Sequence, residues 1–242
     1  MTNIETEYTG LISGILYGGK PKADRTGTGT RAVFGRMLYH DMKLGFPILT
    51  KKKIIFNHAK TELFWIVSGR NDLDYLIDNG VKYWTPDYQR SGRTDGTLGP
   101  VYGYQWRNAN GIDQLQKVLK ELRENPTSRR LMVSAWNVSD LHDMVLPPCH
   151  YNFQLFFNDG QLDLMWQQRS ADVFLGLPYD ITMYGLLLEM IAEGAGCKAG
   201  KLIASLGDCH LYDFVFIPNK DTITLEGYNH SPAIKAELSV GK

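Results

Sequence analysis

Leu131-Met132-Val133-Ser134-Ala135-Trp136, Leu146-Pro147-Pro148-Cys149-His150 and Tyr151-Asn152-Phe153-Gln154-Leu155-Phe156-Phe157 decide how this chain is read. The first and third runs are apolar and aromatic enough to be strands of one sheet. Between them, two prolines fix the backbone leading into a cysteine with a histidine beside it. A thiol held rigidly at the mouth of a sheet suits covalent chemistry, because a deprotonated cysteine is a strong nucleophile. The same pentapeptide also suits a small buried hydrophobe beside a turn, and the residues alone leave both readings open.

A chain of 242 residues with 43% hydrophobic content is enough for one sizeable core, so residues 1–242 are expected to form a single domain. With a formal net charge of zero, nothing in the balance points to a surface built wholly for nucleic acid or membrane; any anion site must be local. Cys149, Cys197 and Cys209 have spacings that fit neither a disulfide framework nor a metal site, so no metal is expected and the reducing cytoplasm is the expected compartment. Residues 1–7 lack the basic and apolar regions of a signal peptide, and no apolar run approaches the roughly 18 residues of a membrane span.

Working outward, residues 21–30 read as a turn-rich loop carrying Arg25, able to close over a phosphate or to serve as a plain surface hairpin. Leu63, Phe64, Ile66 and Val67 read as a helix stopped by Ser68-Gly69. Glu62 lies within that helix, either buried as a general acid/base or on its wet side. Lys51-Lys52-Lys53 upstream is a solvated face or an attractor for an anionic tail. Tyr83, Trp84, Tyr102, Tyr104 and Trp106 suit walls for a flat heterocycle, or core. Ile112, Leu115, Val118, Leu119 and Leu122 have helical spacing, with Asn125-Pro126 as the end. Arg129 and Arg130, read as extended, would point to opposite sides, so one surface uses both only if a partner chain reaches in. A strand from Leu162 to Met165 leads into Arg169-Ser170, a guanidinium and a hydroxyl suited to phosphate. Asp180 stands where a long apolar helix opens and is a credible N-cap. Past a short strand at Leu202 to Leu206, His210 and Tyr212 would face one side if the strand continued.

Six stretches taken in order resemble the thymidylate synthase family: residues 24–30, 99–103, 128–130, 148–150, 168–178 and 207–212. The resemblance runs from about Asp24 to Lys235 and raises Cys149 to the expected nucleophile. It implies an α/β (α+β) three-layer fold with a large mixed sheet, and a homodimer packed sheet to sheet. It further implies that Arg25, Arg169 and Ser170 hold a nucleotide 5′-phosphate, with Arg129 and Arg130 donated across the interface. His210 and Tyr212 would hold the ribose hydroxyl, while His150 and Gln168 would line the base. Catalysis would fall to Cys149, Glu62, Tyr102, Arg169 and Asp180. The co-substrate would be 5,10-methylenetetrahydrofolate, met by Lys51, Tyr83, Trp84, Asp172, Leu175, Gly176 and Tyr179.

One departure from the family bears on the substrate. Thymidylate synthases carry asparagine at the position of Asp180, where the amide accepts from uracil nitrogen 3 and donates to oxygen 4. Cytosine reverses both demands, and a protonated carboxyl meets them. The same change marks the deoxycytidylate hydroxymethylases of phages, which are similar to the family. The expectation is therefore conversion of dCMP to 5-hydroxymethyl-dCMP, in a host cytoplasm if phage-encoded. The alternatives are dCMP methylation, ordinary dUMP methylation, or a nucleotide- or RNA-binding regulator without turnover. On the N-cap reading, in which Asp and Asn are equivalent, this substitution would carry no meaning for the base. The interval from His210 to Glu226 is short for the family, and the end, with Glu237 and Ser239, is more polar than the family's.

Overall fold

The structure is a computed structural model that describes residues 3–24 and 26–212. Its described helices are α1 (Ile4–Gly18), α2 (Phe56–Val67), α3 (Leu73–Asp78), α4 (Thr85–Ser91), α5 (Tyr102–Asn108), α6 (Gln114–Glu124) and α7 (Leu177–Gly194). The described strands are β1 (Lys20–Lys22), β2 (Thr30–Asp41), β3 (Met132–Ser134), β4 (His150–Asn158), β5 (Gln161–Asp172) and β6 (Lys198–Tyr212). They form one six-stranded sheet in the order β1-β2-β6-β5-β4-β3. Only β5 and β6 pair in parallel, since α7 intervenes between them and returns the chain to the starting end; the other neighbours are antiparallel. The mixed sheet is the one the family resemblance implies.

Strand β5 shows how the two faces are made. Leu162, Leu164, Trp166 and Gln168 are buried, whereas Asp163, Met165 and Gln167 are half-buried and Arg169 is exposed. Alternation of side chains places the first set toward the helices. There they join Phe153 and Leu155 of β4, Leu202, Ala204 and Leu206 of β6, and Tyr184, Leu187, Leu188 and Ile191 of α7 in one core. The opposite face carries no described helix of comparable apolar content. Along it, Met132, Gln154, Met165, Ile203 and Tyr39 stand in cross-strand register, and Met132, Tyr39, Met37 and Phe156 are exposed.

Two expectations about local structure are corrected. The segment after Met165 is strand through Asp172, so Arg169 and Ser170 lie on β5 rather than beyond it, and β6 likewise runs through His210 to Tyr212. Arg129 and Arg130 occupy a turn ahead of β3 instead of an extended stretch, and both are exposed. The aromatic run Tyr102 to Trp106 lies on α5. The stops at Ser68-Gly69 and Asn125 hold, with Gly69 in the left-handed region. Among the described residues no helix is long and apolar enough to cross a membrane. Arg25, Glu226, Glu237 and Ser239 lie outside the described residues.

Candidate active site

Cys149 is held from three sides. Its N–H donates to the Tyr102 hydroxyl at 2.9 Å, and its carbonyl accepts from the Arg169 N–H at 2.9 Å. The Arg169 guanidinium spans the proline turn, donating from Nε to Pro148 O at 2.9 Å and from Nη2 to Pro147 O at 2.7 Å. The same Nη2 lies 3.9 Å from Cys149 Sγ. The prolines therefore do more than stiffen the loop: their carbonyls clamp a cation beside the sulfur, where it stabilises a thiolate. Trp136 packs under the guanidinium, 5.8 Å from ring centre to Cζ. Gly207 makes room for this arrangement, because a Cβ there would stand 2.7 Å from Arg169 O.

Tyr102 opens α5 at a φ of +25°, a strained value for a side-chain-bearing residue. Its ring stacks on His150 at 4.3 Å and 27°. Burial is the largest cause holding its hydroxyl well above the ordinary tyrosine range, with the neighbouring Cys149 adding to it, so Tyr102 is a neutral phenol. Helix α5 approaches α2 through Gly103, where a Cβ would meet Ile66 O at 2.6 Å.

Glu62 on α2 is not on a wet face. Its carboxylate accepts from Tyr83 OH at 2.5 Å and Trp84 Nε1 at 2.9 Å. Burial raises its pKa against the lowering effect of those two donors. Tyr83 and Trp84, expected as a folate wall, are thus the clamp that orients Glu62.

Asp180 is not the N-cap of α7. Gly176 occupies that position without a side-chain cap, and Asp180 lies inside the first turn. Asn and Asp are therefore not interchangeable here on capping grounds. Its Oδ2 accepts from Gln168 Nε2 at 2.9 Å, and its Oδ1 is 3.9 Å from His150 Nε2. Burial pushes its pKa up to about 7, with nearby Glu62 and Asp172 reinforcing the shift and Gln168 opposing it. His150 offers no counter-charge, since burial drives its pKa down to about 3, and its Nδ1 pairs with Tyr184 OH at 2.9 Å. At neutral pH the pocket thus holds a carboxyl poised between acid and anion, beside a neutral imidazole.

On β6, His210 and Tyr212 share a side, their rings 5.3 Å apart. His210 Nδ1 is 3.0 Å from Asp208 Oδ1, and Asp208 also pairs with Lys22. The two partners, His210 first, hold Asp208 down to about 2. Ser170 follows Arg169 on β5, paired in register with Asp208. Arg129 and Arg130 remain in their exposed turn. Arg130 lines a cleft of about 880 Å³ between α6 and β3, which includes Trp136 but not Cys149. That cleft lacks the buried titratable groups that catalysis needs.

The folate candidates divide. Lys51 turns away, its Nζ to Thr9 Oγ1 at 3.3 Å and its N–H to Glu5 Oε1 at 3.1 Å. Lys52, which the triple lysine did not single out, instead bonds Phe174 O and lies 4.7 Å from the Phe174 ring and 5.9 Å from that of Tyr179. Burial lowers its pKa to about 8, and Asp172 partly restores it. Asp172 Oδ1 accepts from the N–H groups of Phe174 at 3.0 Å and Leu175 at 2.9 Å. The Tyr83 and Tyr179 rings are 6.4 Å apart. Carboxyl, ammonium and aromatic faces together fit a flat, hydrogen-bonding heterocycle with an anionic tail.

Residues 6–218 match the family model for thymidylate synthase, whose members transfer a one-carbon unit from methylenetetrahydrofolate to carbon 5 of a pyrimidine nucleotide; the chain belongs to that family.

Proposed function

We propose that this chain converts dCMP, methylenetetrahydrofolate and water to 5-hydroxymethyl-dCMP and tetrahydrofolate, as a single catalytic domain over residues 1–242. The observation that carries the reading is Asp180: a buried carboxyl with a pKa near 7, one oxygen already accepting from Gln168. In its acid form it offers a donor to cytosine nitrogen 3 and an acceptor to the exocyclic amine. Facing uracil, the anionic form sets oxygen against oxygen 4, a mismatch of the kind that costs about 10⁴ to 10⁵ in specificity at its strongest.

In this reading Cys149 Sγ bonds to carbon 6, and the displaced electron pair makes carbon 5 nucleophilic while Asp180 gives its proton to nitrogen 3. Methylenetetrahydrofolate supplies the one-carbon unit. Tyr102, pinned to the backbone of Cys149, assists loss of the carbon 5 proton as the bond to tetrahydrofolate breaks, and water adds to the exocyclic methylene that results. Departure of the Cys149 thiolate, with nitrogen 3 returning its proton to Asp180, restores the carbon 5–carbon 6 double bond. With Nε and Nη2 of Arg169 holding the proline turn, Nη1 is left to meet the 5′-phosphate with Arg25 and Ser170. His210 and Tyr212 take the ribose hydroxyl. Asp172, Lys52, Tyr179, Leu175 and Gly176 hold the folate, and Tyr83 and Trp84 serve it through Glu62.

A homodimer completes the phosphate site. Alternation on β5 directs Arg169 away from the helices, onto the sheet face whose exposed Met37, Tyr39, Met132 and Phe156 need covering. A second copy on that face would bring Arg129 and Arg130 from its own exposed turn. The buried Asn152 Oδ1, on the same face, has no partner within the described chain and would meet a donor there.

For the hydroxymethyl product, the water is assigned to Glu62, a carboxyl held by Tyr83 and Trp84 with a raised pKa, and to the polar hydroxyl of Tyr83 beside it. Methylation is the second reading, favoured by the dry setting of Trp84. Release of tritium from carbon 5 of labelled dCMP, dependent on methylenetetrahydrofolate, tests for enzyme against nucleotide-binding regulator. Binding without release overturns the enzymatic reading, and stoichiometric dihydrofolate, seen by absorbance, overturns the hydroxymethyl product.

A further inference from the structure

Trp166 lies on β5, fully buried, with its ring stacked on Tyr184 at 4.9 Å and 6°. Packing accounts for the ring, because phenylalanine would fill much of the same stack. It does not account for the indole N–H, which donates to Gln168 Oε1 at 3.1 Å. Indole nitrogen can donate and cannot accept, so the Gln168 amide must turn its oxygen toward Trp166 and its NH₂ the other way. The NH₂ then donates to Ser170 O at 3.1 Å and Asp180 Oδ2 at 2.9 Å. A carbonyl accepts only, so Ser170 selects the same orientation from the other end. The carbonyl oxygen of a protonated carboxyl is a stronger acceptor than its hydroxyl oxygen, so a hydrogen from Gln168 at Oδ2 favours Oδ2 as the carbonyl and leaves the acid's own hydrogen to Oδ1.

We propose that Trp166 is a positioning residue for base recognition: its N–H orients the Gln168 amide, and Gln168 in turn assigns the proton of Asp180 to Oδ1. Oδ2 is thereby the acceptor for an exocyclic amine, and Oδ1 the donor to a ring nitrogen. The inference rests on the reading of Asp180 as the base-reading acid. The titratable groups that surround Asp180 are Glu62 of α2, Tyr83, Tyr102 of α5, His150 of β4, Asp172 of β5 and Tyr184 of α7. None of them is a cation at neutral pH, so the Gln168 donor is the main support of the Asp180 anion.

The test compares wild type, Trp166→Phe, Gln168→Leu and the double variant, reading the dCMP-to-dUMP ratio of kcat/KM and the pH midpoint of nucleotide binding. Loosening Gln168 weakens a hydrogen bond to the anion, so Trp166→Phe should raise the midpoint by about one unit; it also unassigns the proton between Oδ1 and Oδ2, so the ratio, read below the midpoint where Asp180 is acid in both proteins, should fall about tenfold. In the Gln168→Leu background Trp166→Phe should change neither, because its effect passes through Gln168. A purely structural tryptophan would instead depress turnover of both bases alike, leaving ratio and midpoint in place, and that result overturns the proposal. An equal shift with and without Gln168 also overturns it. If Trp166→Phe does not fold, benzothienylalanine at position 166 keeps the ring shape without the N–H and gives the same readouts. A wild type that prefers dUMP would refute the cytosine reading, while the midpoint shift, measured with dUMP, would still decide the role of Trp166.

Discussion

Gln168 and Arg169 are neighbours on one strand, yet they serve regions of opposite character. Arg169 faces the open side, where a cation, two proline carbonyls and a sulfur meet at the surface. Gln168 faces the helices, where a carboxyl, a neutral imidazole and phenols meet in a dry pocket. Charge is stabilised on the first side by a fixed cation and withheld on the second by burial. The β-strand's two-residue period thus separates the cation beside Cys149 from the Asp180 pocket, and on the proposed function nucleophile activation and phosphate binding from base reading, within one residue of sequence.

The nucleophile side should break most completely. Cys149→Ser is expected to lower turnover by at least about 10³-fold while dCMP still binds, measured by single-turnover kinetics and calorimetry. Turnover within tenfold of wild type would remove Cys149 from the chemistry. Glu62→Gln, which keeps the shape but cannot move a proton, should cost about 10²- to 10⁴-fold in kcat with a smaller change in KM for dCMP.

On the dry side, Asp180→Asn should move the dCMP-to-dUMP ratio of kcat/KM by about 10²-fold or more toward dUMP. An unchanged ratio would show that the carboxyl does not read the base. Wild-type activity on dCMP should fall as pH rises through about 7, where Asp180 loses its proton, and Asp180→Asn should lack that limb. Stability follows the same sign. A carboxyl whose folded pKa is raised from 3.8 to about 7 favours the folded state below 3.8 and progressively loses that contribution as pH rises to 7. Asp180→Asn should therefore melt higher relative to wild type at pH 8 than at pH 5. The smallest effect tests the link between the faces. Mixing Arg129→Ala with Cys149→Ala subunits should restore about one quarter of wild-type activity if half the dimers are mixed and each has one intact site. No recovery under conditions of subunit exchange would exclude a shared phosphate site.

The two sides were not equally legible. Cys149 could be read because Pro147 and Pro148 punctuate a strand edge and the stretch falls in register with five other motifs. Asp180 could be read as a departure, but its burial and its Gln168 partner come from α7 and β5, twelve residues apart in sequence and joined only by the fold. Trp166, one residue past the strand expected from Leu162 to Met165, carries no mark in the sequence, since nothing local shows an indole N–H that needs an acceptor. Lys51 and Lys52 are indistinguishable in a run of three lysines until α1 takes one of them. Helix α1 is obscure in the sequence, because Gly10 and Gly14 weaken the pattern of Ile4, Tyr8, Leu11 and Ile15, which are buried at helical spacing. Strand β2 is obscure because Phe34 to Met37 are all exposed, which erases the alternation that marks a half-buried strand.

The most direct test of the central claim is mass analysis of the nucleotide product after parallel incubation of the wild-type enzyme with dCMP and with dUMP, each with methylenetetrahydrofolate. Selection by an acid Asp180 predicts 5-hydroxymethyl-dCMP from dCMP and little conversion of dUMP at pH 6.5 to 7. Thymidylate formed from dUMP at an equal or higher rate would contradict it.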